Sequence, residues 1–419
     1  MKNKALNKDD ASKELSAQGN AKKFRDMNSQ ERLDYLRNVA RLPYNSITKL
    51  ASWHDDKGPM GENHITHAPM SVDIVPCITV NGKDWVVPLI TEEPSVVAAA
   101  AHGAKMAAEH GGFFVKVKGT TTPGQVQIVG VDPDNIENKI VEINKNSKLL
   151  IERANEKTPH LVAAGGGIIS ITPTKLETER GIQIIVNFEA ECKDSMGANA
   201  VSKMAEGMAP ILEKITGGKV VGRILSNLTL GRLVEVEATF SKKALELVDK
   251  TSGLLVLSGE EMIERMLDLA AWAKADQFRA TTHNKGIMNG ISALANATGQ
   301  DTRAIESAAH SYAAYNYGKP VGNAVSSYKP LSSFWKDDNG NLVGKLDVPI
   351  AIGVIGGTIK ANPVIAVCFE ITQCRTSNEL AALMGAVGLA QNVSALRMLA
   401  GEGITNGHMP LHEKRANKS

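Results

Sequence analysis

The stretch "TEEPSVVAAAAHGAKMAAEHGG", residues 91–112, has Pro94 where a first helical turn accepts it and a double glycine where a helix stops. A helix over this stretch is apolar on nearly every side, so it must be surrounded by other protein rather than laid on a surface. A second stretch, "SNELAALMGAVGLAQNVSALRMLAGEG" at 377–403, is another apolar helix rich in Ala and Gly. His102 and Lys105 interrupt the first stretch before it reaches the roughly 20 apolar residues that cross a bilayer, so no transmembrane helix is expected. With 419 residues, 43% of them apolar, the chain has material for a large helical core and a second domain.

Around these helices the periodicity alternates. "SQERLDYLRNVARL" (29–42) has helical spacing, and "ITVNGKDWVVPLI" (78–90) reads as a hairpin whose Asn81 and Gly82 supply the positive φ of a tight turn. From about residue 120 the texture changes. "GQVQIVGV", "GIQIIVNFEA" and "KVVGRILSNL" read as strands, separated by the amphipathic helices "NIENKIVEINKNSKLLIERANEK" and "ANAVSKMAEGMAPILEKITGG". That order predicts a small α+β domain inserted into a larger helical one. Long helices return at "EEMIERMLDLAAWAKADQFRA", and "NLVGKLDVPIAIGVIGG" is a second strand-rich piece.

The 47 basic and 45 acidic residues nearly cancel, leaving a net charge of +2 and no overall field to attract nucleic acid or a membrane. The N-terminal residues are polar and mixed in charge, without the pattern of a signal peptide, and read as a solvated tail of a cytoplasmic protein. Cys77, Cys192, Cys368 and Cys374 form no C-x-x-C pair and are expected to be reduced and buried. There is no phosphate-binding G-x-x-x-x-G-K-[ST], no G-x-G-x-x-G and no G-x-S-x-G. "HITH" (His64, His67) and "HMPLH" (His408, His412) each could place two imidazoles on one helical face. Neither carries the Glu of H-E-x-x-H, and no metal site is expected.

Four residues remain as candidates for chemistry. Glu93 stands where a helix begins; the helix dipole alone accounts for a carboxylate there, but an apolar helix beside it would push the carboxyl toward its neutral, proton-donating form. Asp301, in "GQDTRAIE", is by local signals an N-cap. His408 lies between Gly407 and Met409. Lys285, in "ATTHNKGIMNG" (280–290), has no acidic residue beside it, which points either to a buried cation paired from afar or to an anion site.

With these collected, the sequence resembles the hydroxymethylglutaryl-coenzyme A reductases of the soluble bacterial class (class II). The resemblance is carried, in order, by "RDMNSQERLD", "EEPSVVAAA", "VQIVG", "DSMGAN", "ITGGKV", "RILSNL", "HNKGIMNG", "ATGQD", "DDNGNLVG", "AVGLAQN" and "GHMPLH". It implies an α+β chain: a large mainly helical domain around a central helix, with an inserted small ferredoxin-like nucleotide-binding domain. The boundaries are 1–22 for the polar tail, 23–119 and 228–412 for the large substrate-binding and dimerisation domain, and 120–227 for the small NAD(P)-binding domain. Residues 413–419 are a short tail, with the family's C-terminal lid domain expected to be largely absent.

The resemblance also implies the reaction: reduction of the hydroxymethylglutaryl-CoA thioester to mevalonate and CoA by two hydrides from NADPH or NADH. Lys285 then matches the oxyanion-stabilising lysine, Glu93 the proton donor, Asp301 the carboxylate that holds these together, and His408 the acid that protonates departing coenzyme A. By the same matching Ser95, Arg279, Asn289 and Gln391 hold the hydroxymethylglutaryl group, and Arg25 the coenzyme A phosphates. Asp194, Met196, Gly197 and Asn199, with Asn227, contact the nicotinamide cofactor. Where NAD-preferring members carry an acidic residue on the ribose, this chain has Ser170, so NADPH is expected to be accepted. A homodimer or higher homo-oligomer is implied, although "ENHITH" replaces the family's "ENVIG" at the dimer contact. The alternatives are a regulatory homologue that binds acyl-CoA with little turnover, and an acyl-CoA hydrolase. The acid and histidine argue against the first, and the missing nucleophile motif against the second.

Overall fold

The computed structural model describes residues 22–52, 61–249, 251–315, 328–356, 359, 362–401 and 403. The chain divides into two compact units, Met1–Ser71 and Val72–Ser419.

In the first unit, helix α1 (Ser29–Val39) starts with a reciprocal capping box. Asn28 Oδ1 accepts from the Glu31 amide at 2.9 Å, and Glu31 Oε2 accepts from the Asn28 amide at 2.6 Å. Helix α2 (Tyr44–Ser52) follows. Arg32 donates to the carbonyls of His64 at 2.7 Å and Arg25 at 2.9 Å. The "HITH" segment is not helical. Its two imidazoles lie 4.6 Å apart, centroid to centroid, and no group of three metal-ligating side chains occurs among the described residues.

The second unit opens with the expected hairpin, β1 (Val72–Val80) and β2 (Lys83–Ile90), turning at Asn81 (φ 51°) and Gly82 (φ 77°). Helix α3 (Pro94–Ala108) and strand β3 (Phe114–Val117) follow. Residues 121–225 then form a four-stranded antiparallel sheet with helices on one face. The elements are β4 (Thr121–Val129), α4 (Ile136–Lys145), α5 (Ser147–Asn155), α6 (Pro159–Ala163), β5 (Gly167–Thr178), β6 (Gly181–Glu191), α7 (Ala198–Thr216) and β7 (Lys219–Leu225). The sheet order β5-β6-β4-β7 is that of a β-α-β-β-α-β ferredoxin-like fold. Its core is Val126, Ile128, Ile184, Val186, Met204, Met208 and Leu212, all fully buried. Two features differ from the sequence expectation. The helix expected over 135–157 is broken at Asn146 into α4 and α5, and β5 is an additional strand, disguised by Pro173, three Thr and a bulge between Ile168 and Ser170.

The remainder returns to the large core with β8 (Leu233–Phe240), α8 (Lys242–Leu245), β9 (Leu247–Val248), β10 (Leu255–Leu257), α9 (Gly259–Ala275), α10 (Gln277–Ala297) and α11 (Thr302–Ala314). It ends in β11 (Ser332–Lys336), β12 (Leu342–Pro349), α12 (Pro363–Thr372) and α13 (Ser377–Ala400). Helix α13 is the central helix, buried on nearly all sides. It is long and apolar enough to pass as a membrane span, yet 83% of that window is buried inside the protein. Helix α3 packs against α13 so closely that a Cβ on Gly103 would stand 2.0 Å from the Ala390 carbonyl oxygen. The core is not made of helices alone, as the apolar pattern suggested. Its sheet β11-β12-β8-β3 packs on α13, and α3 also packs on β1. Of the four cysteines, all free, Cys77 is exposed rather than buried, because it lies on an outward position of β1.

Candidate active site

Helix α10 carries a polar stripe from Lys285 onward. Lys285, Asn289, Ser292 and Asn296 recur at three- and four-residue spacing, hence on one face. This face, the end of β2 and the start of α3 enclose a cavity of about 300 Å³ lined by Glu92, Glu93, Lys285, Asn289, Ser292, Glu306 and His310, among others. Lys285 is exposed at its wall rather than buried in this chain.

Glu93 is the N-cap residue of α3, and its carboxylate accepts a hydrogen bond from the hydroxyl of buried Ser95. Glu93, Lys285 and Asn289 thus share one cavity although 192 residues separate the first two (285 − 93). Asp301 does not line it. It caps α11, accepting from the Ala304 amide at 3.2 Å, and pairs with Arg303 at 3.3 Å.

Gln391, on α13, lies behind α10, where Gly290 leaves room for its Cβ. It is 4% exposed, and its Oε1 has no hydrogen-bond partner among the described residues. Arg279 stacks over the Trp272 ring at 5.8 Å, with burial lowering its pKa. Six residues before Lys285, it stands about 9 Å away along the helix axis. Arg25, in the first unit, is exposed and pairs with Asp26 at 3.9 Å and Glu62 at 4.0 Å. His408 lies outside the described residues, as does "HMPLH".

Lys285 has a buried neighbour. His283 is 3% exposed, and its Nε2 lies 2.6 Å from the Ser332 hydroxyl, which donates to Asn392 Oδ1 at 2.7 Å. Burial first, then the charge of Arg279, hold its pKa down at about 4. Asn284, fully buried, donates to the Lys329 carbonyl at 2.9 Å and accepts from the Leu331 amide at 2.8 Å. These two residues lock the turn of α10 that carries Lys285.

The nucleotide candidates form a second group. Gly197, at φ 99°, begins α7, which has no side-chain cap; Met196 precedes it, and Asn199 is exposed in the first turn. Asp194 is already engaged, because its Oδ1 accepts from the Ser377 amide at the start of α13 at 2.8 Å. Asn227 is exposed in the turn after β7. Ser170 is exposed on β5, directly across from Glu189 on β6, whose pKa is raised by burial.

Sequence reasoning missed Ser292, Glu306 and His310. Ser292 donates to Glu306 Oε1 at 2.6 Å, and His310 Nδ1 lies 2.6 Å from the Tyr328 hydroxyl. A signal was present: Glu306 and His310 stand four apart in a helix otherwise rich in Ala, which puts both on one face.

The family model for hydroxymethylglutaryl-coenzyme A reductase matches residues 28–413. The chain is 42% identical over 394 residues to the 3-hydroxy-3-methylglutaryl-coenzyme A reductase of Archaeoglobus fulgidus, covering 93% of this chain and 85% of that protein. It is 30% identical over 396 residues to a probable reductase of the same name from Borreliella burgdorferi, covering 94% and 85%. The solved class II reductase of Streptococcus pneumoniae bound to NADPH in open conformations superposes with a TM-score of 0.75 at 31% identity, covering 90% of this chain and 99% of that one. The chain therefore belongs to the hydroxymethylglutaryl-coenzyme A reductase family, an NAD(P)-dependent oxidoreductase acting on a coenzyme A thioester.

Proposed function

We propose that the cavity at the Glu93–Lys285 wall is where this reductase converts hydroxymethylglutaryl-CoA to mevalonate and CoA, with Lys285 as the oxyanion-stabilising cation. The observation that carries the reading is the convergence of Glu93, Lys285 and Asn289 on one cavity from distant segments. As the thioester or aldehyde carbonyl is reduced, negative charge gathers on its oxygen, and a fixed ammonium lowers the energy of that state more than of the starting carbonyl. Glu93 delivers the proton that neutralises the oxygen, with the Ser95 hydroxyl holding its carboxyl in place. Asn289 orients the acyl group, and Gln391, buried behind α10 with no partner for its Oε1 among the described residues, is assigned to the same group by the family resemblance. Arg279 and Arg25 are assigned to the acyl carboxylate and the coenzyme A phosphates. Asp301 is assigned to ordering the Lys285 region through the start of α11, and His408 to protonating the departing thiolate.

The residues at the start of α7 fit a nicotinamide dinucleotide, since a left-handed glycine and an uncapped helix N-terminus present amide donors to a pyrophosphate. When bound, the reduced cofactor supplies the two hydrides. Ser170 carries no charge to repel a 2′-phosphate, which supports use of NADPH as well as NADH. The Streptococcus relative, bound to NADPH, supports the same reading. We also read the chain as a cytoplasmic homodimer. The apolar side chains of Val72, Ile74 and Val86, exposed on β1 and β2, support the pairing.

The test is to follow nicotinamide absorbance with hydroxymethylglutaryl-CoA, supplying NADH and NADPH in turn. Two cofactor equivalents oxidised per mevalonate formed is the expected result. Binding of the thioester without oxidation of either cofactor would leave the acyl-CoA-binding homologue as the reading.

A further inference from the structure

Arg232 is among the largest fully buried side chains of the protein, 2% exposed, and no step so far uses it. It lies between the small sheet domain and β8, and its planar fork reaches three separate elements. Nε donates to the Thr122 hydroxyl on β4 at 3.1 Å, Nη1 to the Ile352 carbonyl at 3.0 Å, and Nη2 to the Ser195 carbonyl at 2.8 Å. All three acceptors are neutral. Burial draws the guanidinium's pKa below its ordinary value, with the Cys192 thiol and then the Glu191 carboxylate acting against it. Placing a charge there is costly, so the geometry it enforces must matter.

What it enforces is the course of the segment entering α7. Four successive carbonyls, of residues 193 to 196, each accept from a group outside the segment. Lys193 receives the Ser377 hydroxyl at 3.1 Å, Asp194 the Val354 amide at 2.9 Å, Ser195 the Arg232 guanidinium, and Met196 the Thr122 hydroxyl at 3.2 Å. The last two bonds both depend on Arg232, since Thr122 accepts from its Nε while donating to Met196. With its carbonyls tied, and the amides of Lys193 and Ser195 bonded to Glu191 Oε1 at 2.9 Å and the Cys192 carbonyl at 3.1 Å, the segment is held to one course into the uncapped start of α7.

The same arginine fixes the strap on the other side. The Arg232 carbonyl accepts from the Ile350 amide at 3.0 Å while its side chain holds the Ile352 carbonyl. Gly353 packs so tightly on the segment that a Cβ there would lie 2.7 Å from the Met196 nitrogen, and its amide donates to Gln300, the neighbour of Asp301, at 3.0 Å.

We propose that Arg232 is a positioning residue for the nicotinamide cofactor: it holds residues 194–197 against residues 350–354 and so sets cofactor affinity without touching the cofactor. This rests on the reading that the start of α7 holds the cofactor. A guanidinium is required because its three nitrogens span the three acceptors from one rigid plane, whereas an ammonium's three donors diverge from a single nitrogen.

The test uses the full chain and four variants. Arg232→Met is expected to raise the KM for NADPH and NADH about tenfold or more, leave the KM for hydroxymethylglutaryl-CoA within about twofold, and speed amide exchange at residues 195–199. Arg232→Lys is expected to recover only part of both effects. Met208→Ala, in the small-domain core away from the segment, controls for lost stability: it lowers Tm while leaving the cofactor KM unchanged. Asn199→Ala separates the proposal from the reading beneath it. If Asn199→Ala raises the cofactor KM and Arg232→Met does not, the positioning role is overturned while the cofactor site stands. If neither raises it, the cofactor site itself is misplaced and the proposal falls with it. Equal rises in Met208→Ala and Arg232→Met, or unchanged exchange in Arg232→Met, overturn the positioning role as well.

Discussion

The large core and the small sheet domain place their candidate residues by different means. Around α13 the packing relies on absent side chains: Gly103 meets the Ala390 backbone, Gly388 meets Ile291 and Leu346, and Gly290 meets Val387. In the sheet domain glycine also meets a neighbour, Gly124 against Phe188 and Val201, but those neighbours are side chains rather than backbone, and Val126, Ile128, Ile184, Met204 and Met208 fill the space between sheet and helices. The difference carries into function. Close helix packing fixes the wall of α10, so Lys285, Asn289 and Ser292 are placed by a rigid helix. In the sheet domain four of the candidate nucleotide residues, Asp194, Met196, Gly197 and Asn199, lie at a loop and a helix start, and the course of that loop depends on hydrogen bonds to it. One site is set by packing and the other by polar ties.

The largest expected effect tests the helix wall. Lys285→Ala is expected to lower kcat/KM for thioester reduction by about 10²- to 10³-fold or more, while Tm stays near that of the unaltered chain because the side chain is exposed. Steady-state assay and a thermal melt check both halves. A comparable fall in Tm would show that Lys285 is part of the packing and erase the contrast with its locked neighbours.

The two cores are expected to fail in opposite directions. Gly103→Ala inserts a methyl against backbone and should cost about 1–3 kcal/mol or more by overpacking. Met208→Ala opens a cavity and should cost about 2–5 kcal/mol. Urea titrations measure both. If Gly103→Ala is neutral, α3 and α13 separate more easily than their contact suggests, and the rigid wall loses its basis.

The next effect depends on pH. The folded pKa of His283, about 4, lies below its ordinary 6.5, so the unfolded chain takes up the proton first as pH falls. The stability that neutral His283 contributes is full above pH 6.5 and is lost as pH falls toward 4, amounting to about 3 kcal/mol at most. Denaturant titrations of the unaltered chain and of His283→Gln across that window should differ in slope. Parallel curves would mean that His283 does not hold the Lys285 turn in its neutral form.

The smallest effect belongs to the sheet domain. Ser170→Asp should shift cofactor preference toward NADH by about tenfold, since a carboxylate repels a 2′-phosphate. Glu189 directly across the ladder limits the gain, because like charges opposite each other on a sheet are unfavourable. Competition kinetics with NADH and NADPH measure the shift. An unchanged ratio in a folded variant would move cofactor selection from β5 to the loop held by Arg232.

Much of the architecture was legible because it follows from local pattern. The hairpin at Asn81–Gly82, the helix from Pro94 and the all-apolar helix ending near Ala400 were each announced by a turn residue, a cap or a period. The helix break at Asn146 and strand β5 were not announced, because amphipathic spacing runs through the first and Pro and Thr dilute the second. Strand β8 was legible and overlooked: "LVEVEATF" alternates buried and less buried positions along its length. At the site, Asp301 reads locally as a cap and is one, bonded to the Ala304 amide and paired with Arg303, and it does not line the Lys285 cavity.

The sequence by itself determined which long apolar stretches are buried, where the first hairpin turns and α3 begins, and the order of motifs that marks the family, since these depend on residues near each other along the chain. Only the tertiary structure decided that Lys285 is exposed on a cavity wall, that Glu93 faces the same cavity, and that Glu306 and His310 join them. It alone showed that Arg232 ties Thr122, Ser195 and Ile352 together across more than a hundred residues of chain. The physical reason is one of range. Capping and periodicity act between neighbours along the chain, whereas burial, cavity walls and the partners of a buried charge are fixed only when distant segments pack.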